Sequence, residues 1–456
     1  MTPGGRVSHP IHGVGRIMSL LAGARVRVVF DERPRLPRIV ERAALARTEA
    51  ASAAMATGVA VPIRRAFDPT TEADAWQAIE ALRLGVVPLS RVETYTVGRE
   101  AELAALHGLL GDGGGLRLLF GDYGHGKTHL IELFEHQARQ AGFATARATL
   151  DPAEVPPSHP RRLYRALMSG FRCPDAADCS PLPLFERLAE SDAHLDPKGR
   201  RYSRFLTPAL RAHRERTNSD LPGKLLDYVQ GEPVDIEDLN QRAGYMDWTH
   251  ERMLALSDFR TYGRLYAHLI GTWATWCRDA GYKGLVVLFD EVERVSALDA
   301  AQRRLADQVL RHYTAVTLPT AHLAFDPNDQ DAMYRGGQRV HRNLPLRFTE
   351  DQPLSVVMAL TPAPDVEATI RRLVSVDSVR IDLSPIARRH HGSLVERVVD
   401  LYRGAYPRFA PDGESARRIS ERVLAALVDA EAVPRHFVRT AVCILDGLRH
   451  GGALPG

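Results

Sequence analysis

Apolar residues recur with two different periods along this chain. Near the N-terminus they alternate with polar ones in Gly15-Arg16-Ile17-Met18-Ser19-Leu20, in Arg25-Val26-Arg27-Val28-Val29-Phe30 and in Arg38-Ile39-Val40-Glu41. A period of two marks half-buried strands. With Gly and Pro between the runs, residues 1–47 read as a small, bent β-barrel. An Ala-rich stretch, Ala50 to Val61, follows within a linker spanning 48–70. From Thr71 the period lengthens: Ala75, Ile79 and Leu82 fall on one helical face, Gly85-Val86-Val87-Pro88 ends that helix, and a second begins near Gly98-Arg99-Glu100 with Leu103, Leu106 and Leu109.

Beyond it, short apolar runs alternate with helical segments. The strand candidates are Leu116 to Phe120, Ala144 to Leu150, Leu285 to Phe289, Leu354 to Thr361 and Val379 to Leu383. Continuous apolar strands separated by helices predict an α/β fold with a parallel sheet covered on both faces. A helical insertion is expected over about 156–280. The core thus runs from 71 to 384, and an all-helical C-terminal domain over 385–456.

Composition adds limits. The 456 residues are 45% hydrophobic and 25% charged, an ordinary proportion for a chain with a packed core. No apolar run nears the ~20 residues of a membrane helix, and the first residues lack an apolar signal core, so a cytoplasmic location is expected. The four cysteines (Cys173, Cys179, Cys277, Cys443) form neither a disulfide framework nor a zinc set. The net charge of +3 conceals an asymmetry: nine arginines face four acidic residues in the first 60 positions, a net of +5, leaving −2 for the rest. Nearly every cation is arginine; the lysines are Lys127, Lys198, Lys224 and Lys283.

One of those lysines stands where its chemistry is needed. Gly121-Asp122-Tyr123-Gly124-His125-Gly126-Lys127-Thr128 matches G-x-x-x-x-G-K-[ST], with an apolar strand before it and a helix-forming run after it, from His129-Leu130 on. The glycines let backbone N–H groups wrap phosphates, with the side chains of Asp122, Tyr123, His125 and His129 around them. Lys127 supplies a compact charge to the β and γ phosphates, and the Thr128 hydroxyl a ligand for Mg²⁺. The pattern predicts ATP binding.

The strand Gly284 to Phe289 ends in Asp290-Glu291. Asp290 is placed to hold Mg²⁺ and Glu291 to polarise the attacking water. Thr361 closes another buried strand, where it either touches the γ-phosphate or opens a turn before Pro362. Arg435, in the first turn of a helix after Pro434, either leans onto the nucleotide or is a solvated surface charge. Tyr334 to Arg342 is basic and Gly-hinged, suited to a phosphate backbone and equally to an exposed connector. His390-His391 reads as a surface pair, and Trp273 and Trp276 as core.

The order of Gly98-Arg99-Glu100, phosphate loop, Asp290-Glu291, Thr361 and Pro434-Arg435 resembles that of AAA+ ATPases over roughly residues 90 to 450. Ala78 to Pro88, Val97 to Glu100, the loop 120–128 and Pro434-Arg435-His436-Phe437-Val438 with Leu445-Asp446 look more narrowly like the ATP-binding proteins of BREX-type phage defence, the BrxD-like group. His125 departs from the small residue common there, and Thr361 lacks the glycine often found before it. The resemblance implies a Mg²⁺-dependent ATPase of antiviral defence, with a helical lid, DNA and other defence proteins as partners, and a homo-oligomeric assembly.

Val7-Ser8-His9-Pro10-Ile11-His12-Gly13-Val14-Gly15-Arg16-Ile17, with Val26 to Glu32, is similar to Tudor-like or SH3-like modules, which bind protein partners or nucleic acid. Its charge favours DNA or an acidic surface. The rival expectation is a nucleotide-switched scaffold or transcription-associated regulator with negligible turnover.

Overall fold

The computed structural model describes residues 6–9, 13–20, 25–30, 33–41, 46–47, 69–88, 92–111, 114–215, 220–245, 252–327, 343–349, 351–409, 413–426 and 434–451. The chain divides into two compact units, Met1–Asp68 and Pro69–Gly456. Most of the expected linker, and the whole of Tyr334 to Arg342, lie outside the described residues.

The first unit is a five-stranded antiparallel sheet. Its strands are β1 (Arg6–His9), β2 (Gly13–Leu20), β3 (Arg25–Phe30), β4 (Arg33–Glu41) and β5 (Ala46–Arg47), in the order β4-β3-β2-β1-β5. Val7, Ile17, Val26 and Val28 form its buried cluster, with Val40 against it. The alternation of Val26 and Val28 is what a strand with one covered face requires. β4 carries Pro34 and Pro37 and lies at an edge, where a missing N–H costs no ladder bond. Irregularities between Ile17 and Ser19 and between Val28 and Phe30 bend the sheet.

The second unit is built on five parallel strands, β6 (Gly114–Phe120), β7 (Ala144–Thr149), β8 (Leu285–Asp290), β9 (Leu354–Leu360) and β10 (Arg380–Asp382), in the order β10-β6-β9-β8-β7. Every residue of β8 and β9 is buried, as strands covered on both faces must be. Leu119, Val286, Leu288, Val357 and Ala359 face the helices Glu100–Gly111 and Lys127–Gln140. Leu118, Phe120, Val287, Phe289, Val356 and Met358 belong to the larger cluster on the other face.

That cluster includes the insertion between β7 and β8, which contributes the helices Pro160–Ser169, Leu182–Leu188, Thr207–Arg214, Leu221–Val229, Ile236–Tyr245 and Gly263–Asp279. Trp273 and Trp276 are wholly buried there. Trp273 Nε1 donates to the Tyr164 hydroxyl (2.9 Å), which donates to the Val229 carbonyl (2.6 Å), so neither ring buries an unmatched polar atom.

The C-terminal helices His391–Ala405, Gly413–Ala426 and Pro434–Arg449 do not close on themselves alone. The helix Pro69–Arg83 packs among them through Ala75, Ala78, Ile79 and Leu82, against Leu394, Val398, Tyr402, Ala441 and Leu445. Arg83 grips Asp446 with two nitrogens (2.7 and 2.9 Å), and the Tyr402 hydroxyl donates to the same carboxylate (2.7 Å). The two ends of the unit are thereby clasped in one small bundle beside the sheet.

Two buried histidines sit behind the sheet. His268 Nδ1 lies 2.7 Å from the Pro345 carbonyl and His312 Nδ1 lies 2.6 Å from that of Gln308. Burial pulls the pKa of His268 down to about 4 and of His312 to about 3. The unfolded chain binds these protons near pH 6.5, the folded one only well below it. Stability is therefore full above about 6.5 and is lost as pH falls towards 4, by up to about 1.4 kcal/mol per pH unit for each histidine. The thermal midpoint should fall between pH 7 and 5, and His268→Gln/His312→Gln should flatten that slope; an unchanged slope in the double variant would refute the assignment.

Candidate functional site

The phosphate loop turns between β6 and the helix Lys127–Gln140. Gly124 (φ 83°) and Gly126 (φ 93°) take left-handed backbone, which lets the loop double back and open the first helical turn directly at Lys127. Gly126 offers no side-chain cap, so the free N–H groups of that turn are left to a ligand. Lys127 is 8% exposed. Its ammonium donates to the carbonyls of Gly121 (2.7 Å) and Asp122 (3.3 Å) and to Thr361 Oγ1 (2.9 Å). Burial pulls its pKa down, while Glu293, Asp290, Asp122 and Glu291 push it back up.

Strand register brings these groups together. Phe120 pairs with Leu360 and Phe289 with Met358, so the chain leaves β6, β9 and β8 at neighbouring points. Asp290, 2% exposed, accepts the Glu291 N–H at Oδ1 (3.0 Å) and lies 3.4 Å from Arg147 Nη2 through Oδ2. Arg147, on β7, also pairs with Glu132 and Glu135, which holds the Asp290 side chain in one orientation. Glu291 is the only described non-glycine residue with positive φ (57°), the sharp turn that starts the 3-10 segment Val292–Ala297. Its carboxylate accepts Arg294 Nε at 3.0 Å. Two residues on, Glu293 Oε1 accepts the Thr361 hydroxyl at 2.5 Å. Glu293 was not among the sequence candidates; its only signal was its place in Asp290-Glu291-Val292-Glu293.

Opposite the charged wall stands an apolar one. Leu82 near the end of the first helix, and Val86, Val87 and Val97 beyond it, meet Ile386, Leu394 and Val438, enclosing a cleft of about 980 Å³ counted to its open mouth. Gly124, His125, Gly126, Lys127, Thr128, His129, Tyr123, Asp290, Glu291, Glu293 and Arg435 line it too. Of the sequence candidates, Gly121, Asp122 and Thr361 lie behind Lys127 instead, as partners of its ammonium. Arg435 reaches across the mouth, donating to the Tyr123 hydroxyl (2.5 Å) with its guanidinium 5.0 Å above the ring. The sequence had no account of the apolar wall: Gly85-Val86-Val87-Pro88 registers as a helix break, and only the fold sets it against the C-terminal bundle.

Arg99 ties the walls together. It is buried, and its guanidinium donates to the His125 carbonyl (2.7 Å), the Ser384 carbonyl (2.7 Å) and Glu102 (3.0 Å). Gly98 precedes it with φ 64°, and a Cβ there would fall 2.9 Å from His390 Cδ2. His129 Nε2 contacts Thr96 Oγ1 (2.7 Å), whose own proton goes to the Val92 carbonyl, so the imidazole is the donor. Burial and the Arg99 charge lower the pKa of His129 to about 4.

Residues 71–184 match the family model of BREX system ATP-binding proteins BrxC/D. That stretch is about a quarter of the chain; it takes in the phosphate loop and ends before Asp290. No curated protein matches the chain. Among the described residues, no helix is long and apolar enough to cross a membrane, and no three His, Cys, Asp or Glu side chains cluster to hold a metal.

Arg99→Ala would leave the carbonyls of His125 and Ser384 without their donor and Glu102 without its partner. It should cost about 3 kcal/mol in thermal or denaturant unfolding. Backbone amides of residues 121–126 should also exchange faster than in the parent. Unchanged stability and exchange would show that Arg99 does not hold the loop.

Proposed function

We propose that the chain is an AAA+-like ATPase that binds ATP with Mg²⁺ in the cleft between the phosphate loop and the C-terminal bundle and hydrolyses it. The observation that carries this reading is the cleft itself: free helix N-terminal amides, a buried lysine and three carboxylates on one wall, an apolar wall on the other, a cationic arm across the mouth. A nucleotide has that division, with a charged tail and a flat, largely apolar base.

In this reading the amides of 124–128 and Lys127 bind the phosphates, and Arg435 leaves Tyr123 to meet them from the lid. The apolar residues hold the base and exclude water. Thr128 and Asp290 are hard oxygen donors, which suits Mg²⁺, an ion usually bound through one or two protein groups together with substrate phosphates. When bound, the metal would neutralise charge developing on the phosphate oxygens. A carboxylate beyond Asp290 orients the attacking water; Glu291 is the one the sequence pattern points to.

The likeness of residues 71–184 to BREX ATP-binding proteins supports a role in phage defence, alongside other proteins of such a system. The +5 charge of the first 60 residues supports DNA or an acidic partner surface as the target of the N-terminal sheet, which we read as an SH3-like module. A homo-oligomer on DNA in the cytoplasm is the working arrangement.

The test is direct. Full-length protein should bind a fluorescent ATP analogue and release phosphate with Mg²⁺, faster with duplex DNA. Lys127→Ala should weaken analogue binding by about 100-fold, the loss of a charge-assisted phosphate contact worth about 3 kcal/mol. Undiminished binding in that variant would sink the site; binding without turnover, with or without DNA, would favour a nucleotide-switched scaffold.

A further inference from the structure

Four polar side chains interrupt the apolar side of the cleft: Tyr95, Thr96, Arg99 and His129. Three of them have nothing to offer a ligand. The Arg99 guanidinium is engaged by the carbonyls of His125 and Ser384 and by Glu102. The Tyr95 hydroxyl has no hydrogen-bond partner but is enclosed by protein, out of a ligand's reach. The Thr96 hydroxyl gives its proton to the Val92 carbonyl (2.7 Å) and accepts from His129 Nε2 (2.7 Å).

That leaves His129. It stands in the first turn of the helix Lys127–Gln140, two residues beyond the phosphate-loop lysine, with its ring 5.0 Å from that of Tyr95. Because Nε2 carries the ring proton to Thr96, Nδ1 is a bare lone pair, and it has no hydrogen bond to any described residue. Burial and the Arg99 charge, which lower the pKa to about 4, keep that nitrogen unprotonated near neutral pH. The fold thus sets one fixed acceptor among Val86, Val87 and Val97, on the side of the cleft where the base would rest.

Purine bases differ in what they bring to such an acceptor. Adenine carries an exocyclic amine, a donor; at the same ring position guanine and hypoxanthine carry a carbonyl, whose lone pairs would meet the lone pair of Nδ1. A site built to pair with one group rejects the analogue that lacks it. We propose that His129 is a specificity-determining residue that selects adenine over guanine nucleotides, its Nδ1 accepting a hydrogen bond from the exocyclic amine of the base. This rests on the nucleotide reading above and adds to it the identity of the base. Thr96 is the positioning residue: by accepting the Nε2 proton it fixes the tautomer and keeps Nδ1 an acceptor.

The experiment measures displacement of a ribose-labelled fluorescent ATP from the full chain by ATP, GTP and inosine triphosphate, with the thermal midpoint of each variant alongside. The parent should bind ATP roughly tenfold or more tighter than either competitor, the difference between a made hydrogen bond and two opposed acceptors. Inosine triphosphate has the carbonyl without guanine's extra amine, so it separates recognition at this position from exclusion by size. His129→Leu should weaken ATP by roughly tenfold and leave the other two near their parent values. Thr96→Val, which keeps the imidazole but frees its tautomer, should narrow the preference to about threefold or less. The proposal is overturned if the parent binds inosine triphosphate as tightly as ATP, or if the preference survives both substitutions. It is equally overturned if His129→Leu weakens all three nucleotides alike, as a purely structural histidine would. A parent that binds none of the three would instead overturn the nucleotide reading itself, and this inference with it.

Discussion

The chemistry of the larger unit depends on the parallel pairing of β6 with β9 and of β9 with β8. Parallel strands all end at one edge, and the register found here brings Gly121, Thr361 and Asp290 out side by side. Lys127 then closes the arrangement from the helix side, its ammonium held by two carbonyls of its own loop and by the hydroxyl of Thr361. A slip of one residue between β6 and β9 would turn the alternate side chains to the opposite layers and part the lysine from Thr361. The burial of β8 and β9 on both faces makes such a slip expensive.

The cleft is completed by a second constraint, the clasp between Arg83 and Asp446. These residues are separated by most of the second unit's length, yet their pairing holds the helix Pro69–Arg83 against the C-terminal bundle. The segment after that helix forms part of the apolar wall, and Ile386, Leu394 and Val438 form the rest. Movement of the bundle would change the width of the cleft. The contact between Arg435 and Tyr123 spans its mouth, and a ligand entering there has to part or displace them.

Electrostatics in the site are arranged in pairs. Arg147 balances Asp290, Glu132 and Glu135; Arg294 balances Glu291; Arg99 balances Glu102. Glu293 instead faces Lys127 through Thr361. The use of arginine in the structural pairs suits its planar fork, whereas the flexible stem of Lys127 lets one ammonium serve three oxygen atoms. Arginine supplies nearly every cation along the chain, and the loop keeps its lysine all the same.

Much of this was legible in the linear chain because it rests on local rules. The glycines, lysine and threonine of the phosphate loop are required by backbone geometry and phosphate chemistry within eight residues. The five parallel strands are visible as short apolar runs, and the helical insertion as a change of period. What no local rule carries is the meeting of distant segments. Glu293 looks like any polar residue after a strand; a 3-10 turn and the neighbouring end of β9 make it a partner of Thr361. Gly85-Val86-Val87-Pro88 looks like a helix break, and only packing on a bundle some 300 residues away makes it a wall of the cleft. Arg99 reads as one more arginine until burial and the carbonyls of His125 and Ser384 give it work. The sequence by itself determined the elements and the loop residues proposed to bind phosphate, because those follow from short-range periodicity and stereochemistry. The tertiary structure alone decided the cleft's apolar wall and which carboxylate meets Thr361, because these follow from long-range register and burial.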